Sequence, residues 1–135
     1  MRIGELADSA GITPETVRYY EKVGLLPAPR RTPSGYRDYS ERARERLRFI
    51  RTAQSVGFSL GEIGEILALR DQGQTPCQHV RGLIRRHADD LQQRIDDLRV
   101  MQRDLARLAE IAESGPDDDD RSTHCHILES ATPVR

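Results

Sequence analysis

Between Pro76 and Pro116 the chain runs without a proline, and Gly82 is the one glycine that interrupts it before Gly115. Within this stretch Val80, Ile84, His87, Leu91, Leu98, Met101, Leu105, Leu108 and Ala112 recur at alternating intervals of three and four, with Arg94 standing at one seam position. The sides of the seam carry Arg85, Arg86, Asp89, Asp90, Asp96, Asp97, Arg99, Arg103 and Asp104. An apolar seam with charged flanks is the pattern of a helix that packs along another helix as a coiled coil. A helix of about 36 residues is about 54 Å long. No other segment of the chain matches that length, so the pattern predicts a second copy, and a homodimer is expected. The spacing alone permits a parallel or an antiparallel pair. The alternative, a lone helix folded back on the rest of the chain, leaves much of the seam uncovered.

Charge divides the chain as sharply as the helix does. The overall charge of -1 hides residues 1–58, with eleven Lys+Arg against seven Asp+Glu (+4), and residues 59–135, with ten against fifteen (-5). A basic head suggests nucleic acid as its partner. All six aromatics (Tyr19, Tyr20, Tyr36, Tyr39, Phe49 and Phe58) also lie in this head. With no Trp, two Met and 36% apolar residues, 135 residues do not fill one large globular interior. No apolar run approaches the roughly 18 residues of a membrane span, so no membrane partner is expected. The start, Met1-Arg2-Ile3-Gly4-Glu5, lacks the apolar stretch of a signal peptide, and a cytoplasmic protein is expected. The two cysteines, Cys77 and Cys125, are too few for a disulfide framework and would stay reduced there, which directs attention to metal binding or thiol chemistry.

Within the head, Ile3, Leu6, Ala7 and Ala10 mark one face of a short helix that Gly11 stops. Thr13 as cap, Pro14 in the first turn and Glu15 at the positive end of the dipole open a second helix reaching about Val23. After Gly24, Pro27 and Pro29, the run from Arg30 to Tyr39 reads as a short basic hairpin. Ser40 caps a third helix that ends at Gly57, and Ser59 with Glu62 forms a capping box for a fourth. Two short helices, a tight turn and a basic hairpin describe a winged helix-turn-helix, whose second helix enters the major groove while the wing grips phosphates. Thr13, Thr16, Val17, Arg18 and Tyr20 are expected on the exposed face of the second helix, and Arg30, Arg31, Tyr36, Arg37 and Tyr39 on the wing. Tyr19 and one wing tyrosine have an alternative as packing residues. The expected architecture is thus mainly α, in three parts: a winged helix-turn-helix head over residues 1–70, a dimerisation helix over 76–113, and a tail over 114–135.

The residues Ile3-Gly4-Glu5-Leu6-Ala7, Thr16-Val17-Arg18-Tyr19-Tyr20-Glu21, Gly24-Leu25-Leu26, Gly35-Tyr36-Arg37-Asp38-Tyr39 and Val56-Gly57-Phe58-Ser59-Leu60, with Ile63, stand in order and at family spacing. In them the chain resembles the MerR family of transcription regulators. The resemblance implies a homodimer joined by an antiparallel coiled coil and bound to near-palindromic double-stranded promoter DNA. It further implies activation of RNA polymerase by distortion of the promoter spacer when an effector binds. No enzymatic activity is expected, since the sequence shows no nucleophile, base and oxyanion constellation and an extended dimer offers no deep pocket.

Only 22 residues follow Glu113, too few to enclose a bulky organic effector. The tail Gly115-Pro116-Asp117-Asp118-Asp119-Asp120-Arg121-Ser122-Thr123-His124-Cys125-His126 is similar to the metal loop of the family's metal-sensing branch, where a short helix follows. It departs from that branch in one respect: the position of a first loop cysteine falls in the Asp run, and Cys125 alone remains. By the same resemblance Cys77, at the start of the long helix, marks the sensors of divalent rather than monovalent ions. Thiolates and imidazoles make a borderline-soft tetrahedral set, which puts zinc first and cadmium, cobalt or mercury next. In an antiparallel dimer Cys77 of one subunit would lie near the loop of the other. The expected ligands are Cys77, Cys125, His124 and His126, with His79, Asp118 and Asp120 as further candidates. His79 lies two residues past Cys77, so the two side chains diverge on a helix, and the Asp run has a plain reading as a solvated linker. His87 is expected to pack in the dimer seam. The competing class is a redox or electrophile sensor that uses Cys77 or Cys125 as a reactive thiol.

Overall fold

The second, third and fourth helices of the head each begin where a side chain satisfies an otherwise unpaired backbone amide, whereas the first starts after Arg2 without a side-chain cap. Thr13 accepts from the Thr16 amide, Ser40 from Ala43 and Ser59 from Glu62, and the Glu62 carboxylate accepts in turn from the Ser59 amide. In this computed structural model, which describes residues 1–115 and 124–131, the elements run in a mainly helical order. They are α1 (Ile3–Ala10), α2 (Pro14–Lys22), β1 (Arg30–Arg31), β2 (Arg37–Asp38), α3 (Glu41–Ser55), α4 (Leu60–Asp71), α5 (Cys77–Ser114) and α6 (His126–Glu129). The strands β1 and β2 pair antiparallel, with Arg30 opposite Asp38 and Arg31 opposite Arg37. Gly11 ends α1 with φ of 68°, in the left-handed region that a glycine occupies without a Cβ penalty. At the wing tip Gly35 has φ of 90°, and its amide bonds to the Thr32 carbonyl at 2.8 Å.

The chain divides into two compact units, Met1–His87 and Ala88–Arg135. In the first, Leu6 and Ala7 of α1, Val17 and Tyr20 of α2, Leu47 and Ile50 of α3 and Ile63 of α4 meet in one core. Leu83 of α5 is buried with them. The unit boundary therefore falls inside α5, beyond the residue-70 limit expected for the head, because the first turns of the long helix contribute to the head's interior. Polar links between the head's elements include the Tyr20 hydroxyl, which donates to Gln54 Oε1 at 3.0 Å, and Arg46, which holds Asp71 through two bonds while its Nε donates to the Leu25 carbonyl.

In the second unit α5 keeps its apolar face open: Leu91, Leu98, Met101 and Leu105 are each more than half exposed in the single chain. Ile95, four residues after Leu91 and three before Leu98, carries the apolar face past Arg94. The short α6 lies along the end of α5, where Ser130 and Ala131 and the α5 residues Asp104, Arg107, Leu108 and Ile111 enclose a cleft of about 30 Å³. Among the described residues no helix is long and apolar enough to cross a membrane.

Candidate functional site

The helix α2 presents Thr13 and Arg18 to solvent, with Thr16 half-buried and its hydroxyl 2.9 Å from that of Thr13. Three expectations of exposure are corrected here. Val17 is fully buried, and Tyr20 and Tyr39 are nearly so. Val17 and Tyr20 stand three residues apart on one helical face, and that face is the one α2 turns to the core. Of the two tyrosines for which packing stood as the alternative, the wing's Tyr39 is the one that packs, while Tyr19 is half exposed, so the phenol available on α2 belongs to Tyr19. The interval from Val17 to Tyr20, read with Leu6 and Ala7 of α1 as the facing surface, was the signal that separates Tyr19 from Tyr20.

On the wing, Arg30, Arg31 and Tyr36 are exposed. The Arg31 guanidinium donates to the Gly35 carbonyl at 3.0 Å, and Arg2 sits 4.0 Å over the Tyr36 ring, bringing the start of the chain to the wing tip. Arg37 and Tyr39 are used differently. Arg37 Nη1 lies 2.7 Å from Glu21 Oε2, and the Tyr39 hydroxyl donates to Glu21 Oε1. Burial pushes the Tyr39 hydroxyl above its ordinary range, with the Glu21 bond adding to it, and the Arg37 guanidinium is raised by its bond to Tyr39 and by the Glu21 charge.

The candidate metal ligands lie on both units. Cys77 is the first residue of α5 and is exposed beside an apolar groove of about 260 Å³ lined by Phe49, Ile66, Leu67, Arg70, Thr75 and Pro76. His79 does not share this surroundings: its Nε2 lies 3.4 Å from Glu65 Oε2 of α4. In the second unit Cys125 is the residue before α6, half-buried, between exposed His124 and half-buried His126. The His124 amide donates to Glu129 Oε1 at 2.8 Å, closing the turn that presents Cys125. His126 turns back to the end of α5, its Nε2 3.8 Å from where a Cβ on Gly115 would stand. Asp118 and Asp120 lie outside the described residues. Among the described residues of one chain, no three His, Cys, Asp or Glu side chains form a group able to hold a metal ion.

His87 corrects a further expectation. Rather than packing in the seam, its Nε2 lies 2.8 Å and 3.1 Å from the two Glu62 oxygens, and its ring stacks on Phe58 at 5.1 Å. Glu62 is held below its ordinary carboxyl range by the Ser59 amide first and the His87 bond second.

Two family models match the chain: MerR HTH family regulatory protein over residues 1–70, and MerR, DNA binding, over residues 44–108. The mercuric resistance operon regulatory protein of Bacillus cereus is 40% identical over 129 residues, covering 96% of this chain and 95% of the relative. The HTH-type transcriptional regulator ZntR of Escherichia coli K12 is 41% identical, covering 96% and 90%. Among solved structures, the transcription regulator PbrR691 from Ralstonia metallidurans CH34 in complex with lead(II) superposes with a TM-score of 0.74 at 37% identity, covering 96% of this chain and 98% of that one. These relatives are regulators of transcription rather than enzymes. A winged head whose core is closed by α5, followed by a helix with an open apolar seam, agrees with a match that runs nearly the full length: the chain belongs to the MerR family of helix-turn-helix transcription regulators.

Proposed function

We propose that this chain is a metal-responsive transcription regulator whose effector is a divalent ion, zinc first and cadmium, cobalt or mercury next. The protein acts as a homodimer joined by antiparallel pairing of α5. It binds double-stranded promoter DNA through Thr13, Thr16, Arg18 and Tyr19 of α2 and through Arg30, Arg31 and Tyr36 of the wing. The observation that carries the metal reading is the His124-Cys125-His126 run, set by the Glu129 turn against the end of α5, in a chain that exposes Cys77 at the start of the same helix. Antiparallel pairing brings the start of one α5 to the end of its partner's, so Cys77 of one protomer completes the set of the other. This accounts for the lack of a three-ligand group among the described residues of one chain.

The donor set fits the ion: two thiolates and one or two imidazoles are the usual environment of four-coordinate zinc. Bound across the protomers, such an ion supplies a link between two chains that favours one relative placement of the heads. His124, His126 and Cys125 hold it from the tail, and Cys77 from the facing helix. Asp118 and Asp120 are further candidates, and His79 is a weaker one, since Glu65 already engages its Nε2. Promoter distortion by the displaced heads then activates RNA polymerase. Relatives named for mercury, and one solved with lead(II), support a soft or borderline metal.

The test is a cobalt titration of the reduced full chain, followed by its thiolate charge-transfer absorption, with zinc, cadmium and mercury as competitors. Tetrahedral bands that weaken in both Cys77→Ser and Cys125→Ser are expected. Thiols that stay fully open to alkylation in the presence of every metal would overturn the reading and leave a redox or electrophile sensor.

A further inference from the structure

Glu21 is an acid set among the basic residues Arg18, Lys22 and Arg37. It lies in the last turn of α2, beside Lys22 and one turn from Arg18, and its side chain is only 11% exposed. Both its oxygens are engaged: Oε2 by Arg37 Nη1 at 2.7 Å, and Oε1 by the Tyr39 hydroxyl. Arg37 Nη1 also donates to the Tyr39 oxygen at 3.3 Å, which closes the three groups into one network. The ladder between β1 and β2 spans two residues on each strand. So short a ribbon does not fix its own direction relative to a helix. The Met1 amine holds the end of β2 to the start of the chain, and the carboxylate of Glu21, a charged acceptor with donors from β2 and the residue after it, ties the wing to α2.

We propose that Glu21 is a positioning residue for DNA binding: through Arg37 and Tyr39 it sets the angle between α2 and the wing. Arg37 on this view serves the DNA through Glu21, not by a bond to phosphate. The inference rests on the reading of α2 and the wing as the DNA interface. A phosphate contact by Arg37 makes the opposite prediction for Glu21, since removing a competing carboxylate would then free the arginine and tighten binding.

The experiment uses the full chain and a short duplex that the unaltered protein enriches from a randomised pool. Affinity is measured over a range of salt for Glu21→Gln, Arg37→Gln, the double variant and Tyr39→Phe, with thermal melting of each. Glu21→Gln and Arg37→Gln are each expected to weaken binding about tenfold, as loss of a charge-assisted bond does, and the double variant no further than either. The slope of log affinity against log salt stays at the unaltered value in all of them, since no phosphate partner is lost. Tyr39→Phe keeps the Glu21–Arg37 pair and gives a smaller loss in the same direction, which serves if either charge variant melts early. Tighter binding by Glu21→Gln, or a slope that falls by about one in Arg37→Gln, overturns the proposal. Failure of the unaltered chain to enrich any duplex overturns the DNA-binding reading and this inference with it.

Discussion

At the residue scale, Glu62 joins two parts of the head. Its carboxylate closes the N-terminus of α4 on the Ser59 amide and holds His87 of α5 against Phe58. Because folding lowers its pKa, the stability it contributes is fully present above the ordinary value of 4.5 and is lost as the pH falls through the lowered one. Urea unfolding across this range should therefore show the unaltered chain losing its advantage over Glu62→Gln in acid; a difference that stays constant with pH would contradict the assignment. The interval alone assigns His87 to the seam, and nothing local in the sequence points to Glu62 as its partner. The attraction of Glu62 depends on where α4 lies, a placement 25 residues away in sequence. Tyr19 and Tyr20 make the same point at shorter range. Both are phenols in one basic segment, and only the direction of the core separates the one that bonds Gln54 from the one that meets solvent.

Elements are more legible in the sequence than side-chain fates, because their ends are local chemistry. Thr13 with Pro14, Ser40, and the pair Ser59 and Glu62 act within three residues of themselves, and each starts its helix as the sequence indicates. Ser59→Ala should lower the head's unfolding free energy by about 1 kcal/mol, measured by urea denaturation. The long α5 is a composite element. Its periodic seam was visible in sequence, whereas the burial of Leu83, one residue before the seam's Ile84, was not. Leu83→Ala removes a side chain that is 3% exposed and should cost the head about 3 kcal/mol in the same assay. An effect under about 0.5 kcal/mol, as at surface positions, would show that α5 does not contribute to the head's core.

At the scale of the whole molecule, the two units divide the work. The head carries the basic α2 and wing surface, and the second unit carries an apolar face that the single chain leaves open along Leu91, Leu98, Met101 and Leu105. Dimerisation through that face predicts that Leu98→Glu with Leu105→Glu yields a monomer by sedimentation, with the head still folded by circular dichroism and DNA affinity much reduced. A dimer that persists would place the contact elsewhere. By itself the sequence determined the helix order, the caps and the hairpin, since each depends on groups near one another in the chain. The tertiary structure alone decided that Tyr39 is core, that Arg37 turns to Glu21, and that His87 leaves the seam for Glu62. Those outcomes depend on what packs opposite a side chain, and the polar partners of Tyr20, Arg37, Tyr39 and His87 stand 16 to 34 positions away.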